Sequence, residues 1–335
     1  MRKLASIRHI GTIEPIEQAD RIEVATVDGW RVVVGKNQFK PGQKIVFFET
    51  DSLLPTSNLA FESFAKRGTV DFAGIQGHVL RTVKLKGVYS QGLIMGLEEL
   101  GLDPDMAPGT DVSQQLGVVK YEAPVAVGSK IIGSFDSAFA PKTDAPRLQN
   151  LADYWEEIQQ LAWVPSVKVD GASHTLVRDR DNQLKLFTRN RQIVLDGPEY
   201  EAISETGIPE SLVCGQAVQF ELCGPKIQSN RLKLKRLTPF VFAVWFNHQP
   251  VEWSDWPKAA RQASVPQLDA EQWRPEGSIE EMIEKVDGIR GYVTKDILDE
   301  GVVWKLASGQ RLPSWLEENL NFKIINNKYL LKHKL

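Results

Sequence analysis

Cysteine is nearly absent: Cys214 and Cys223 are the only two in 335 residues. Two thiols cannot build a disulfide framework or a four-cysteine zinc site, and the expectation is a reducing, cytoplasmic compartment. The five histidines, His9, His78, His174, His248 and His333, are scattered without metal-ligand spacing, so zinc is not indicated. No window approaches eighteen consecutive apolar residues, which excludes a transmembrane helix. The stretch Met1-Arg-Lys-Leu-Ala-Ser-Ile-Arg-His9 has no apolar core of the kind a secretory signal needs. Charge of one sign is lacking as well. Forty Lys and Arg against 43 Asp and Glu leave a net charge of −3, which excludes a broadly polybasic nucleic-acid binder but leaves room for a local basic groove.

What is present is ordinary globular composition, 42% hydrophobic and 25% charged, on a length that suits about two domains at roughly 150 residues each. Up to about residue 112 short apolar runs alternate with Gly, Pro and Asp. Ile22–Val27 and Trp30–Gly35 flank Asp28-Gly29, a hairpin signal. Lys44–Phe48, His78–Lys86 and Ser90–Met95 read as further strands. Such a set of short strands predicts a small β-barrel of the OB type, and Arg81, Lys84 and Lys86 would face one groove.

From Tyr121 to Pro141 the composition reads as a linker, which places the domain division at 125/126. Thr143 and Asp144 offer an N-cap for a helical stretch from Leu148 to Leu161. Strand-like runs follow at Pro165–Val169, His174–Arg178, Leu184–Thr188, Ala217–Leu222, Pro239–Phe246, Ile289–Thr294 and Val302–Leu306. Helical segments fall near 199–205, 257–264 and 278–285. Eight of the nine tryptophans lie beyond residue 150, in keeping with a larger core there. The second domain is predicted to be α+β with mostly antiparallel sheet.

Val167-Lys-Val-Asp-Gly-Ala-Ser173 carries a lysine at the end of an apolar run, then an acid and a turn glycine. Lysine titrates at about 10.4 and is almost wholly protonated at neutral pH. Burial and neighbouring cations would free its amine as a nucleophile. Alone the motif is also that of an exposed lysine before a turn. Downstream, however, stand Phe187-Thr-Arg-Asn190, Gln219-Phe-Glu-Leu-Cys-Gly224, Phe240-Val-Phe-Ala-Val-Trp245, Val286-Asp-Gly-Ile289 and Asn321-Phe-Lys-Ile-Ile-Asn-Asn-Lys-Tyr-Leu-Leu-Lys332. Upstream stand Ala140-Pro-Lys-Thr-Asp-Ala-Pro-Arg-Leu-Gln-Asn150 and Leu116-Gly-Val-Val-Lys-Tyr-Glu-Ala-Pro124. In order and spacing these resemble the covalent nucleotidyltransferases, above all the ATP-dependent nick-sealing RNA ligases with an N-terminal OB module.

The resemblance implies an adenylyltransferase domain of the ligase and capping-enzyme type over 126–335, behind an OB module over 1–125. It implies ATP and Mg²⁺ or Mn²⁺ as cofactors, and a nicked duplex RNA with 3′-OH and 5′-phosphate ends as partner. The enzyme is expected to be a monomer without a membrane partner. Lys168 would be the nucleophile, with Asp170, Arg189, Glu221 and Lys323 as catalytic companions. Arg147 would contact the triphosphate and Phe242 would stack on adenine. Asp287, with Glu284 as a fallback, would hold the metal together with Glu221. Lys305 competes with Lys323 for the last basic motif, and Lys328 could substitute there. Val167 stands where relatives often have Glu, so backbone groups at this position would read the base. Arg81, Lys84, Lys86, Lys233 and Lys235 would contact RNA. The last two sit in Lys226–Arg236, which holds five cations in eleven residues. Two alternatives remain open: a DNA ligase or capping-type enzyme, and a catalytically weak RNA-end-binding protein using the barrel.

Overall fold

The computed structural model describes residues 2–122, 128–142, 144–310 and 321–335; Thr143 and residues 123–127 of the expected linker lie outside the described residues. Two compact units form. The first combines Met1–Ala123 with Leu148–Trp155 and Asn327–Leu335, and the second combines Pro124–Arg147 with Glu156–Asn326. The chain therefore returns twice to the unit that the sequence reading closes at residue 125.

The first unit is built from antiparallel strands. Ala5–His9, Lys44–Phe48 and Leu93–Met95 make one sheet, with Lys44–Phe48 in the middle. Lys44–Phe48 is apolar almost throughout because both its faces are covered. Ile45 and Phe47 join a core with Trp30, Val27 and Val32, whereas Val46 and Phe48 join another with Ile7, Leu54 and Phe61. The hairpin read from Asp28-Gly29 is present, with Val27 opposite Trp30 and Asp28 at φ 50°. His78–Lys86 is not one strand. Leu80 turns into the core, and the strands Ile75–Val79 and Val83–Leu85 lie either side of it. The returning Leu148–Tyr154 is a 3₁₀ segment rather than the start of a long helix. Its Asn150 accepts from the Trp30 indole at 2.7 Å and donates to Glu49 at 2.9 Å. Asn327, at the head of the returning helix Asn327–His333, accepts from Gln91 at 3.0 Å.

The second unit holds a seven-stranded antiparallel sheet. Its order is Ile131–Ser134, Arg191–Ile193, Leu184–Thr188, Ala172–Arg178, Gln216–Cys223, Thr238–Phe246, Gln249–Pro250. The expected linker thus contains an edge strand. Leu176, Leu186, Val218, Phe220 and Val241 form its core with Ile203 and Ala260 of the helices Pro198–Ser204 and Lys258–Gln262. A second sheet sets Gly301–Leu306 between Trp163–Lys168 and Asn321–Ile325. Side chains alternate across such a sheet. Trp163, Val167, Val302, Trp304, Phe322 and Ile324 are buried on one face, with Trp304 and Phe322 stacked at 5.1 Å. The other face carries Lys168, Lys305 and Lys323. Ile289–Thr294 is no strand: the Asp299 carboxylate accepts from the amides of Tyr292 and Val293 and folds the segment into a loop. Among the described residues no helix is long and apolar enough to cross a membrane.

Candidate active site

Lys168 ends its strand, and Val169-Asp170-Gly171 turns the chain into Ala172–Arg178. The turn needs glycine for steric reasons. A Cβ on Gly171 would lie 2.4 Å from the Leu222 carbonyl oxygen and 2.6 Å from the Cys223 sulfur. This closeness sets Lys168 beside Glu221, which pairs with Ser173 across the ladder. Opposite Lys168 in the small sheet is Gly301, and the residue before it, Glu300, places Oε2 2.6 Å from the Lys168 amine. Both side chains are largely enclosed, at 24% and 15% exposure. Asp170 accepts from one Arg231 nitrogen with both oxygens at 3.0 Å.

Lys168, Glu300, Glu221 and Asp170 set the local electrostatics. Burial pulls the Lys168 ammonium down, but the charges of Glu300, Glu221 and Asp170 outweigh it and leave the lysine above its ordinary value. The sequence reading expects neighbouring cations to depress it; here the carboxylates prevail. Glu221 is pushed up to about 8, first by burial and then by the charges of Glu300 and Asp170, against Lys168 and Arg189. Glu300 is also raised by burial. With Asp170 balanced by Arg231 and Glu300 by Lys168, a further cation here would favour the ionised form of Glu221.

A second group of charges lies farther along the same lysine-bearing face. Arg147, 6% exposed, runs beside Lys323 as a parallel bridge, and the Lys323 amide donates to the Pro146 carbonyl at 2.9 Å. The Lys323 amine reaches Asp144 at 3.1 Å, and Asp144 also lies 3.7 Å from Arg189. Burial brings Lys323 down to about 8, with Lys168 and Arg147 adding to the fall and Asp144 opposing it. Lys305 is likewise brought to about 8 by burial. Its amine sits over the rings of Phe242 at 5.7 Å and Trp256 at 5.9 Å. Phe242 is the extra residue of a bulge: Val241 faces Phe220 and Ala243 faces Gln219, which leaves Phe242 without a cross-strand partner. Val167 is a wall residue, 1% exposed, and its amide is already bonded to the Pro266 carbonyl at 2.9 Å, so that amide has no donor left for a base.

Several expected residues stand elsewhere. Asp287 caps the helix Ile279–Val286, its amide bonded to the carbonyls of Ile283 and Glu284, and it is not among the acids whose charge acts on Lys168. Glu284 is exposed on that helix. The acid beside the amine is Glu300, in Glu300-Gly301-Val302-Val303, an acid and glycine followed by apolar residues. The same pattern was assigned to Asp287-Gly288 although Arg290 interrupts it there. Asp144, read from the sequence as an N-cap, and Arg231, read only as one cation of Lys226–Arg236, are further participants. Arg81, Lys84 and Lys86 do not alternate along one strand. The Arg81 guanidinium donates to the Lys334 carbonyl, Lys84 sits 4.8 Å over the Tyr89 ring, and Lys86 occupies the hairpin turn at φ 48°. Lys328 belongs to the helix Asn327–His333. Lys233 and Lys235 are exposed on a loop whose Asn230 side chain bonds Leu234 twice and whose Arg231 alone among its cations turns to Asp170.

An RNA ligase family model matches residues 161–324, and an OB-fold domain model matches residues 4–97. Among solved structures, a mutant Naegleria gruberi RNA ligase with ATP and Mn is 31% identical, covers 99% of each chain and has a TM-score of 0.87. A mutant of the same enzyme with AMP and Mn gives the same identity, coverage and TM-score. The enzyme with PPi gives 31% identity over 100% of this chain and 99% of that one, with a TM-score of 0.86. The phenylalanine–tRNA ligase beta subunit of Oceanobacillus iheyensis is 27% identical over 129 residues, 37% of this chain. The chain spans 13% of that protein's length.

Proposed function

The chain belongs to the RNA ligase family, and from that premise we propose that it seals nicks in duplex RNA through a covalent lysyl-AMP on Lys168. It is an ATP-dependent RNA ligase. In the first step the Lys168 amine attacks the α-phosphorus of ATP, a nitrogen–phosphorus bond forms, and pyrophosphate leaves. In the second the 5′-phosphate of an RNA strand takes the AMP and frees the lysine. In the third the 3′-hydroxyl attacks that phosphate and AMP departs. Each step is substitution at a crowded, negatively charged phosphorus, so alignment and charge neutralisation supply most of the rate.

The observation that carries this reading is the 2.6 Å contact between the Lys168 amine and Glu300. It sits at the end of a face that continues to Lys323 and Lys305. The protein holds Lys168 charged before nucleotide arrives, and the amine must lose that proton to attack. Lys323, with Arg147 beside it, would bind phosphate oxygens and offset the negative field of the three carboxylates. Arg189 would meet the sugar or the RNA 5′-phosphate. Phe242, unpaired in its ladder, would lie on the adenine, with Lys305 behind it.

The oxygen donors and the elevated Glu221 fit Mg²⁺ or Mn²⁺. Glu221 and Glu300 would hold such an ion, which when bound supplies positive charge at the α-phosphate. Among the described residues no group of three or more His, Cys, Asp or Glu is arranged to hold a metal alone, so its shell would be completed by water and phosphate.

The test is a set of duplexes with one nick bearing 3′-OH and 5′-phosphate ends, in RNA or DNA strands. Sealing that needs ATP, a divalent cation, Lys168 and an RNA 3′-OH strand is expected. Efficient joining of single strands with nicks left open would contradict the nick-sealing reading.

A further inference from the structure

The residue that aims Glu300 is Asn326, at the end of the strand Asn321–Ile325. It is fully buried, at 0% exposure. Its backbone amide donates to the Glu300 carbonyl at 2.9 Å. Its side-chain Nδ2 donates to the Asp299 carbonyl at 2.9 Å and to the Ile289 carbonyl at 3.1 Å, while its Oδ1 accepts from the Gly288 amide at 2.9 Å. The Asp299 and Glu300 carbonyls belong to the two peptide units that flank the Glu300 α-carbon. One residue therefore fixes both peptide planes from which the Glu300 side chain springs.

The surroundings allow little alternative. The loop from Ile289 to Asp299 closes on itself through the Asp299 amide and the Ile289 carbonyl at 3.0 Å, and Asn326 fastens both ends of that neck. On the other side of Glu300, Gly301 is pressed against the neighbouring strand so closely that a Cβ there would lie 2.2 Å from the Ile324 oxygen. A short side chain with two donors and one acceptor is needed, and among the amino acids only asparagine has that length and pattern. Aspartate lacks the donors. Leucine, similar in shape, would leave a buried amide and two buried carbonyls without this partner, which is costly.

We propose that Asn326 is a positioning residue for lysine adenylylation, acting through Glu300 by holding its backbone so that the carboxylate meets Lys168. The proposal rests on the reading of Lys168 as the adenylylated residue. A displacement of about 1 Å at a reacting group can cost about 100-fold in rate. The Asn326→Asp and Asn326→Leu enzymes should therefore lose up to that factor in the single-turnover rate of lysyl-AMP formation at saturating ATP, with a smaller change in the KM for ATP.

The decisive experiment is a double-mutant cycle of full-length enzymes: wild type, Asn326→Asp, Glu300→Ala and the pair, each assayed for lysyl-AMP at a temperature where all are folded by circular dichroism. Leu176→Ala, a core substitution in the same unit away from the site, serves as the control for lost thermal stability. The expected result is that Asn326→Asp slows the wild type strongly and leaves the Glu300→Ala enzyme unchanged, while Leu176→Ala keeps its rate. Equal slowing in both backgrounds, or no slowing beyond that of Leu176→Ala, would overturn the proposal. A wild type that forms no lysyl-AMP would instead remove the reading beneath it.

Discussion

Glu300 Oε2 lies 2.6 Å from Lys168 Nζ; Lys168 ends one strand, and Glu300 immediately precedes the neighbouring one, whose register sets Lys168 opposite Gly301. The pair couples a lysine held charged to the acid that holds it. Glu300→Ala should reduce lysyl-AMP formation by about 100-fold, the scale expected for a misplaced reacting group, whereas Asp287→Ala should stay within about twofold, as for a residue that contributes little to the transition state. Radiolabel transfer from α-labelled ATP measures both, and a reversed order would return the role to Asp287.

Lys323, brought to about 8 by burial, should give nucleotide affinity a pH dependence. The amine is charged below that value and neutral above it, so ATP binding should weaken as pH rises through about 8. Lys323→Arg, charged throughout, should show a shallower fall. Calorimetric titrations across this range check it. Parallel curves for the two enzymes would exclude Lys323 as the titrating group.

Glu221 supplies a stability signature. Its folded pKa, pushed up to about 8 chiefly by burial, lies above the unfolded value. The native state therefore binds the extra proton, and the stabilising contribution is whole below the ordinary carboxylate range and lost as pH climbs through about 8. The urea midpoint of Glu221→Gln should decline less over that interval than that of the wild type. Identical slopes would mean that Glu221 ionises normally.

Gly171→Ala should cost about 1–3 kcal/mol by overpacking, because its Cβ would strike the Leu222 carbonyl and the Cys223 sulfur. Since the same turn sets Lys168 beside Glu221, adenylylation should fall further than stability alone explains. Urea denaturation and single-turnover labelling, measured together, separate the two effects.

Lys233 and Lys235, exposed beside Arg231, are expected to meet RNA phosphates. Replacing both with Glu should weaken duplex binding and reduce the magnitude of the slope of log affinity against log salt by about 2, with lysyl-AMP formation intact. An unchanged slope would place the RNA elsewhere.

Much of this was legible in the residues. Asp28-Gly29 gave its hairpin because a two-residue turn needs a positive φ that Asp and Gly tolerate. Val302–Leu306 was visible as a strand too, whereas Asn321–Ile325 was read only as a motif. What the residues could not reveal was which lysines share a face, since that depends on register between strands far apart in sequence. Glu300-Gly301 was passed over because Asp287-Gly288 fell at a similar spacing, and only the ladder with Lys168 separates them. Gln149 and Asn150 read as part of one signature with Arg147, yet the chain passes from one unit to the other between Arg147 and Leu148. The split of His78–Lys86 came from Leu80 turning inward, a packing choice that an alternating pattern conceals.

The most direct test of the account is peptide mapping of the enzyme after incubation with ATP and Mn²⁺ in the absence of RNA. The expected result is the mass of one AMP on the peptide carrying Lys168, released by pyrophosphate and missing in Lys168→Ala. An adduct on Lys305, Lys323 or any other residue, or no adduct in an enzyme that still seals RNA, would contradict it.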